Sequence, residues 1–301
     1  MADKSDKEVV TIDFGADSYT GKVSQTASHL AARMIGSVRV NRVSPGNDQS
    51  GDRLEKIRRF GAGPLIILGN EFLNRSASQV EMFRDVNEWI RWEQYCSRLL
   101  YPAEAVPEKV GTRAISMRVA GGVSLAFCLD LPDLSAKAFA ASGRELRRIH
   151  ALDCGHFGNL WSHGDLHADN VLYDAETGDV TVIDFDARHC RGSTALFRHT
   201  DDLKTLLLGV IGRPVELWTD PVMALLAAYG VRDVLIELRG QLVVPQGWAS
   251  ILLQTRTRCL PRSVLKDRFA VLSSLLLDLI ESSRQEESES AASVVCRGSA
   301  Q

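Results

Sequence analysis

A chain of 301 residues with 45% hydrophobic and 24% charged side chains can bury a large core, as one domain or as two lobes. Its formal net charge of −3 gives no general footprint for nucleic acid, and no run approaches the roughly 18 apolar residues of a membrane-spanning helix. Six cysteines without a C-x-x-C pair suggest neither a zinc site nor a disulfide framework. MADKSDKEVV has no apolar leader core, so a reducing, cytoplasmic setting is expected.

Residues 1–20 mix charge with Gly and Ser and read as a flexible N-terminus; Ser24–Met34 fits a short helix. Val38–Val43 alternates apolar and polar residues as a half-buried strand does, and Arg53–Arg58, with Lys56 in it, reads as the returning strand. Ser44–Asp52 between them has the composition of a turn. No GxGxxG precedes the pair, and only Gly36-Ser37 stands near the place for a phosphate loop. Met82–Leu100 has helical length, with a stripe of Phe83, Val86, Ile90, Cys96 and Leu100. Glu93 lies on that stripe and faces inward, where a carboxylate needs a partner; Glu88 projects with Trp92 and Tyr95 from another side. Met117–Leu125 reads as a strand running into a Gly turn, and Ser135–Leu152 as a helix on the stripe Phe139, Leu146, Ile149 and Leu152.

The densest signal is Trp161–Asp186. Val171–Tyr173 and Val180–Ile183 are two short apolar runs, and Asp174–Asp179 between them has the Gly and Asp content of a hairpin turn. Such a hairpin brings Asp165, Asn170 and Asp184 to one end. Three converging oxygen-bearing side chains suit a hard cation such as Mg²⁺ together with one proton acceptor. Beyond Asp186, Arg188, His189, Arg191, Arg198 and His199 form a local basic patch, either a seat for an anionic acceptor or a solvated loop. Asp201-Asp202 read as caps of a helix from Leu203, and residues 221–281 supply further helical segments. The Ser- and Glu-rich residues 282–301 read as a disordered tail.

An Asp five residues before an Asn, with a second Asp across a hairpin, resembles the core of the protein-kinase-like phosphotransferases. HGDLHxxN and IDFD are similar to lipopolysaccharide core (Kdo/heptose) kinases and aminoglycoside phosphotransferases. The resemblance implies an α+β, bilobal fold: a small β-rich N-lobe over 21–118 and a larger, mainly helical C-lobe over 119–281. It implies ATP and Mg²⁺ as cofactors. Lys56 then holds the nucleotide's phosphates and pairs with Glu93, and the backbone near Met117 and Val119 meets the adenine edge. Asp165 takes the acceptor proton, Asn170 and Asp184 hold Mg²⁺, and His163 bonds the backbone near Asp184. Asp186 departs from the family's glycine. The implied acceptor is a hydroxyl of a sugar, glycolipid or other small molecule, with a protein Ser/Thr kinase and a nucleotide-binding pseudokinase as rivals. The missing Gly-rich loop favours the pseudokinase, and the intact Asp165, Asn170 and Asp184 oppose it. No nucleic-acid partner is expected, peripheral membrane contact is compatible with the sequence, and the oligomeric state stays open.

Overall fold

The computed structural model describes residues 38–44, 52–257 and 260–298. The expected N-terminal lead-in, the helix over Ser24–Met34, the Gly36-Ser37 loop and most of the first turn lie outside the described residues.

The chain opens with β1 (Arg39–Ser44), β2 (Arg53–Arg58), α1 (Ala62–Arg75), β3 (Val80–Met82), α2 (Val86–Leu100), β4 (Glu108–Val110) and β5 (Ala114–Arg118). It continues with β6 (Val123–Ser124), α3 (Leu125–Cys128), α4 (Pro132–His150), β7 (Asp153–Cys154), β8 (Asn159–Leu160), a 3₁₀ turn over Ala168–Asn170, and β9 (Val171–Tyr173). β10 (Val180–Val182) and β11 (Ala187–His189) follow, and then only helices: α5 (Ala195–Val210), α6 (Val215–Tyr229), α7 (Arg232–Gly240), α8 (Trp248–Arg256) and α9 (Arg262–Gly298). With every described strand pair antiparallel and the helices concentrated in the second half, the class is α+β.

The largest sheet has the order β1-β2-β5-β4. β2 alternates as its sequence suggests, but its buried positions are the cationic Lys56 and Arg58, not an apolar pair. A strand that turns its charges inward is organised around a site. α2 packs beside it, capped by Asp85, whose carboxylate accepts from the Glu88 N–H at 2.7 Å. It starts at Val86 and not at Met82 because Val80–Met82 pair instead with β11, Met82 opposite Ala187.

α1 occupies a stretch whose Gly63, Pro64 and Gly69 interrupt any sequence periodicity. The Asn70 side chain fastens it, donating to the Met82 carbonyl at 2.9 Å and accepting from the Met82 N–H at 2.7 Å. The main core lies between α4 and α6, where Phe139, Leu146, Ile149, Trp218, Leu225 and Tyr229 are fully buried. Each such side chain contributes roughly 1.5–3 kcal/mol of burial. The two helices approach so closely at Gly143 that a Cβ there would lie 2.2 Å from the Leu225 carbonyl oxygen.

Two expectations change in the helical half. α5 is capped by Thr194, seven and eight residues before Asp201 and Asp202, so these aspartates lie buried inside the helix and cap nothing. α9 continues as helical backbone through the expected disordered tail to Gly298. Leu265, Phe269, Leu272 and Leu276 anchor its first turns at helical spacing. No Gly or Pro interrupts it before Gly298, and Glu, Gln, Arg and Ala all favour helix.

Candidate active site

β9 and β10 form the expected hairpin, closed by Gly178 N–H to the Asp174 carbonyl at 2.8 Å, with Gly178 in the left-handed region. At its other end Ile183 N–H donates to the Asn170 carbonyl at 2.9 Å, which sets Asn170 beside Asp184. The Asn170 amide donates to the Asp165 carbonyl at 3.1 Å and to the His167 imidazole at 3.2 Å, leaving its oxygen as the available ligand atom. His163 occupies the expected place: its Nε2–H donates to the Ile183 carbonyl at 3.0 Å, and its Nδ1 accepts from the Asp165 N–H at 3.2 Å. Those two bonds require one neutral tautomer. Burial, which lowers the pKa of the ring, favours the same form.

Asp202 holds this loop from below. Its carboxylate accepts from the His163 N–H at 2.7 Å and the Gly164 N–H at 2.9 Å, and meets His150 at 3.3 Å. Burial alone would raise its pKa, but His189 and His150 outweigh that and hold the carboxyl well below the usual range. Gly164 has φ +93°, and a Cβ on it would lie 2.8 Å from the backbone of Arg188. The glycine between His163 and Asp165 is therefore a requirement of close backbone approach.

Above the hairpin, Lys56 Nζ lies 2.6 Å from Glu93 Oε1 and 3.0 Å from Asp184 Oδ1. The expected partners thus meet, while Glu88 pairs with Arg188 at 2.6 Å. Arg39, from β1, completes the cluster. Its guanidinium pairs with both Asp184 and Asp186, one contact to Asp184 Oδ2 being 3.0 Å. Trp89 Nε1 donates to the second oxygen of Asp186 at 2.7 Å. Nothing local in the sequence marks Arg39 or Trp89 for these roles.

The electrostatics follow the geometry. Burial would raise the Asp184 carboxyl, but Lys56 and Arg39 overcome it and keep the group ionised. Burial likewise works against the Lys56 ammonium, and Asp184 and Glu93 more than restore it. Burial raises Glu93 against the pull of Lys56, and burial with the adjacent Asp184 raises Asp186. Asp184 itself has φ +73°, a strained conformation for a side-chain-bearing residue, though Asp tolerates it better than most. One oxygen from each of Glu93, Asp184 and Asp186 lies within 4.8 Å of the others. These carboxylates are donors for a hard divalent cation, and Asn170, at the adjoining end of the hairpin, is the residue that would add an amide oxygen.

Asp165 lies to one side, its side chain 41% exposed, with His167 Nε2 4.0 Å from one oxygen and Arg256 Nη2 3.7 Å from the other. It is the open carboxylate of the site. Of the basic patch beyond Asp186 only Arg191 is exposed, 3.2 Å from the His156 imidazole; the other members are taken up by the protein itself. Arg188 is clamped by Glu81 at 2.8 Å and by Glu88, and His189 bonds Ser162 and Asp201 in the interior. Arg198 donates to the Leu160 carbonyl at 2.6 Å, and His199 to the Trp161 carbonyl at 2.9 Å. At the expected adenine edge, Met117 stands opposite Leu54 in the sheet, and the Val119 N–H already donates to the Asp52 carbonyl at 2.9 Å. The chain itself therefore takes up the Val119 donor that an adenine contact would use.

No protein-family model matches the chain, and no curated protein matches it. No helix among the described residues is long and apolar enough to cross a membrane.

Proposed function

We propose that this chain is an ATP- and Mg²⁺-dependent kinase that transfers the γ-phosphate to a hydroxyl of a sugar, glycolipid or other small molecule. In this reading the fold is bilobal and protein-kinase-like, with the β1-β2-β5-β4 sheet and α2 as the small lobe and the helical half as the large one. One observation carries it: a strand lysine, a helix glutamate and a hairpin aspartate meet within 3.0 Å, beside an Asp–Asn loop whose Asp165 is open to solvent. Phosphoryl transfer needs positioning and charge neutralisation more than covalent chemistry, and these residues supply both.

Lys56, held by Glu93, presents its ammonium to the nucleotide phosphates, and Arg39 brings a second cation to the same place. Asn170 and Asp184 are the residues that would hold Mg²⁺, with Asp186 adjacent; bound there, the ion neutralises charge on the phosphates. Asp165 orients the acceptor hydroxyl and takes its proton as the new O–P bond forms. The bond between the γ-phosphorus and its bridging oxygen breaks, and ADP carries the leaving charge. A small acceptor suits the chain after Asp186, since β11 is paired with β3 and α5 begins at Ala195. Little length remains to position a peptide. A cytoplasmic location, where ATP and Mg²⁺ are at hand, accords with this chemistry.

A second reading, a nucleotide-binding pseudokinase that acts through a partner, is favoured by the way Arg39 closes on both Asp184 and Asp186. Transfer of labelled γ-phosphate to a panel of sugar, glycolipid, aminoglycoside and peptide acceptors separates the two. Mg²⁺-dependent transfer by the wild type, lost in a folded Asp184→Asn, supports the kinase. Nucleotide binding without transfer to any acceptor supports the pseudokinase, and absence of nucleotide binding overturns both.

A further inference from the structure

Arg256 is the one cation of α8 that reaches the open carboxylate of the site. Its Nη1 donates to Thr205 Oγ1 at 2.7 Å, and Thr205 is a buried residue of α5, so one arm of the guanidinium is fixed to the body of the molecule. The other arm, Nη2, lies 3.7 Å from Asp165 Oδ1, within ion-pairing range but beyond a hydrogen bond. The Arg256 side chain is 17% exposed and that of Asp165 41%. A pair that loose and that wet adds little to stability. On the opposite side His167 Nε2 is 4.0 Å from the other Asp165 oxygen. A hydroxyl placed on Asp165 thus has as its neighbour a guanidinium, whose planar array of donors matches a carboxylate or phosphate.

We infer that Arg256 recognises an anionic acceptor: the hydroxyl compound that binds at Asp165 carries a carboxylate or a phosphate, which the guanidinium holds. The inference rests on the kinase reading for what happens next, but the anion site itself does not. It excludes polycationic acceptors, which would place an ammonium against Arg256, and it gives neutral sugars no advantage. Arg256 acts on binding and orientation and takes no proton.

Calorimetric titration of the full chain with a non-hydrolysable ATP analogue and Mg²⁺ tests it, using glucuronate and glucose 6-phosphate against glucose and glucosamine. At least one of the two anionic probes should bind more tightly than glucose. Arg256→Gln should weaken that probe roughly 10- to 100-fold and leave glucose unchanged, since a hydrogen-bonded charge is lost. Arg256→Lys should recover part of the loss, and Arg59→Gln, which removes an exposed charge outside the site, should leave the affinity for every probe unchanged. Thr205→Val frees the fixed arm but keeps the charge, and it should cost less than Arg256→Gln; it also serves if that variant does not fold. Neither anionic probe binding better than glucose, or an equal loss for charged and neutral probes, overturns the inference. Labelled ATP then distinguishes the two failures. Anion preference without phosphate transfer counts against the kinase, whereas equal transfer to glucose and to the anionic probes counts against Arg256.

Discussion

Asp165 and Asp202 are carboxylates in one network with opposite tasks. Asp165 is exposed and has room for a ligand, so its removal should lower the rate of transfer and leave nucleotide affinity nearly intact. Asp165→Ala is expected to cost about 10²–10⁴ in single-turnover rate, the usual contribution of a positioned base, with ATP·Mg²⁺ affinity within a few-fold of wild type by calorimetry. Asp202 is buried and accepts two backbone N–H groups, which an Asn cannot do with one oxygen while its amide hydrogens face donors. Asp202→Asn should lose about 2–4 kcal/mol of stability in urea denaturation and displace the His163–Asp165 backbone. The sequence suggests the proposed role of Asp165 and hides the structural one of Asp202. Asp165 stands in a local pattern with Asn170, whereas Asp202 looks like a helix cap, because its partners lie 38 and 39 residues away. Arg39 is hidden for the same reason, at a separation of 145 from Asp184.

At the scale of elements, the strand pair β1–β2, the hairpin β9–β10 and the inward face of α2 were legible because each writes its own period or turn into consecutive residues. α1 was not, since two glycines and a proline break its periodicity and a single side chain, Asn70, fastens it to β3. The contact of β2 with α2 is testable as a unit. Lys56→Ala and Glu93→Ala should each reduce transfer, and the double variant should cost less than the sum, because each single change strands a buried charge. Strict additivity in that cycle would show that the two side chains do not act together. The basic residues after Asp186 teach the converse lesson: apart from Arg191, a run that reads as a polar surface becomes interior when carboxylates and carbonyls from β3, α2, β8 and α5 converge on it.

For the molecule as a whole, acid should be the weak side. His199 is a buried residue of α5, stacked on His150 at 4.1 Å, with Asp202 and Arg198 as its charged neighbours. Burial and His150 push its pKa down to about 3, and burial with Arg188 pushes that of His156 to about 4. Both are depressed below their unfolded value, so the unfolded chain takes up protons first as pH falls. Their contribution is fully present above about pH 6.5 and drains away toward pH 3, on the order of 2–4 kcal/mol for His199. Urea midpoints measured from pH 7.5 to 4 should fall steadily, and His199→Gln, which can still donate to the Trp161 carbonyl, should flatten the slope. An unchanged slope in that variant would assign the acid sensitivity to other groups.

The pairing of β11 with β3 also has a meaning in time. Arg188 and Glu81 are 107 residues apart, and their strands meet only after everything between them has folded back. The strand that leads into α2, and therefore the approach of Glu93 to Lys56, is tied to chain made much later. A nascent chain lacking residues 187–189 holds Lys56 and Glu93 but not the clamp that fixes their helix, so the charge cluster closes late in synthesis and as one cooperative event. Amide exchange at Val80–Met82 and Ala187–His189 should accordingly show a single common opening rate.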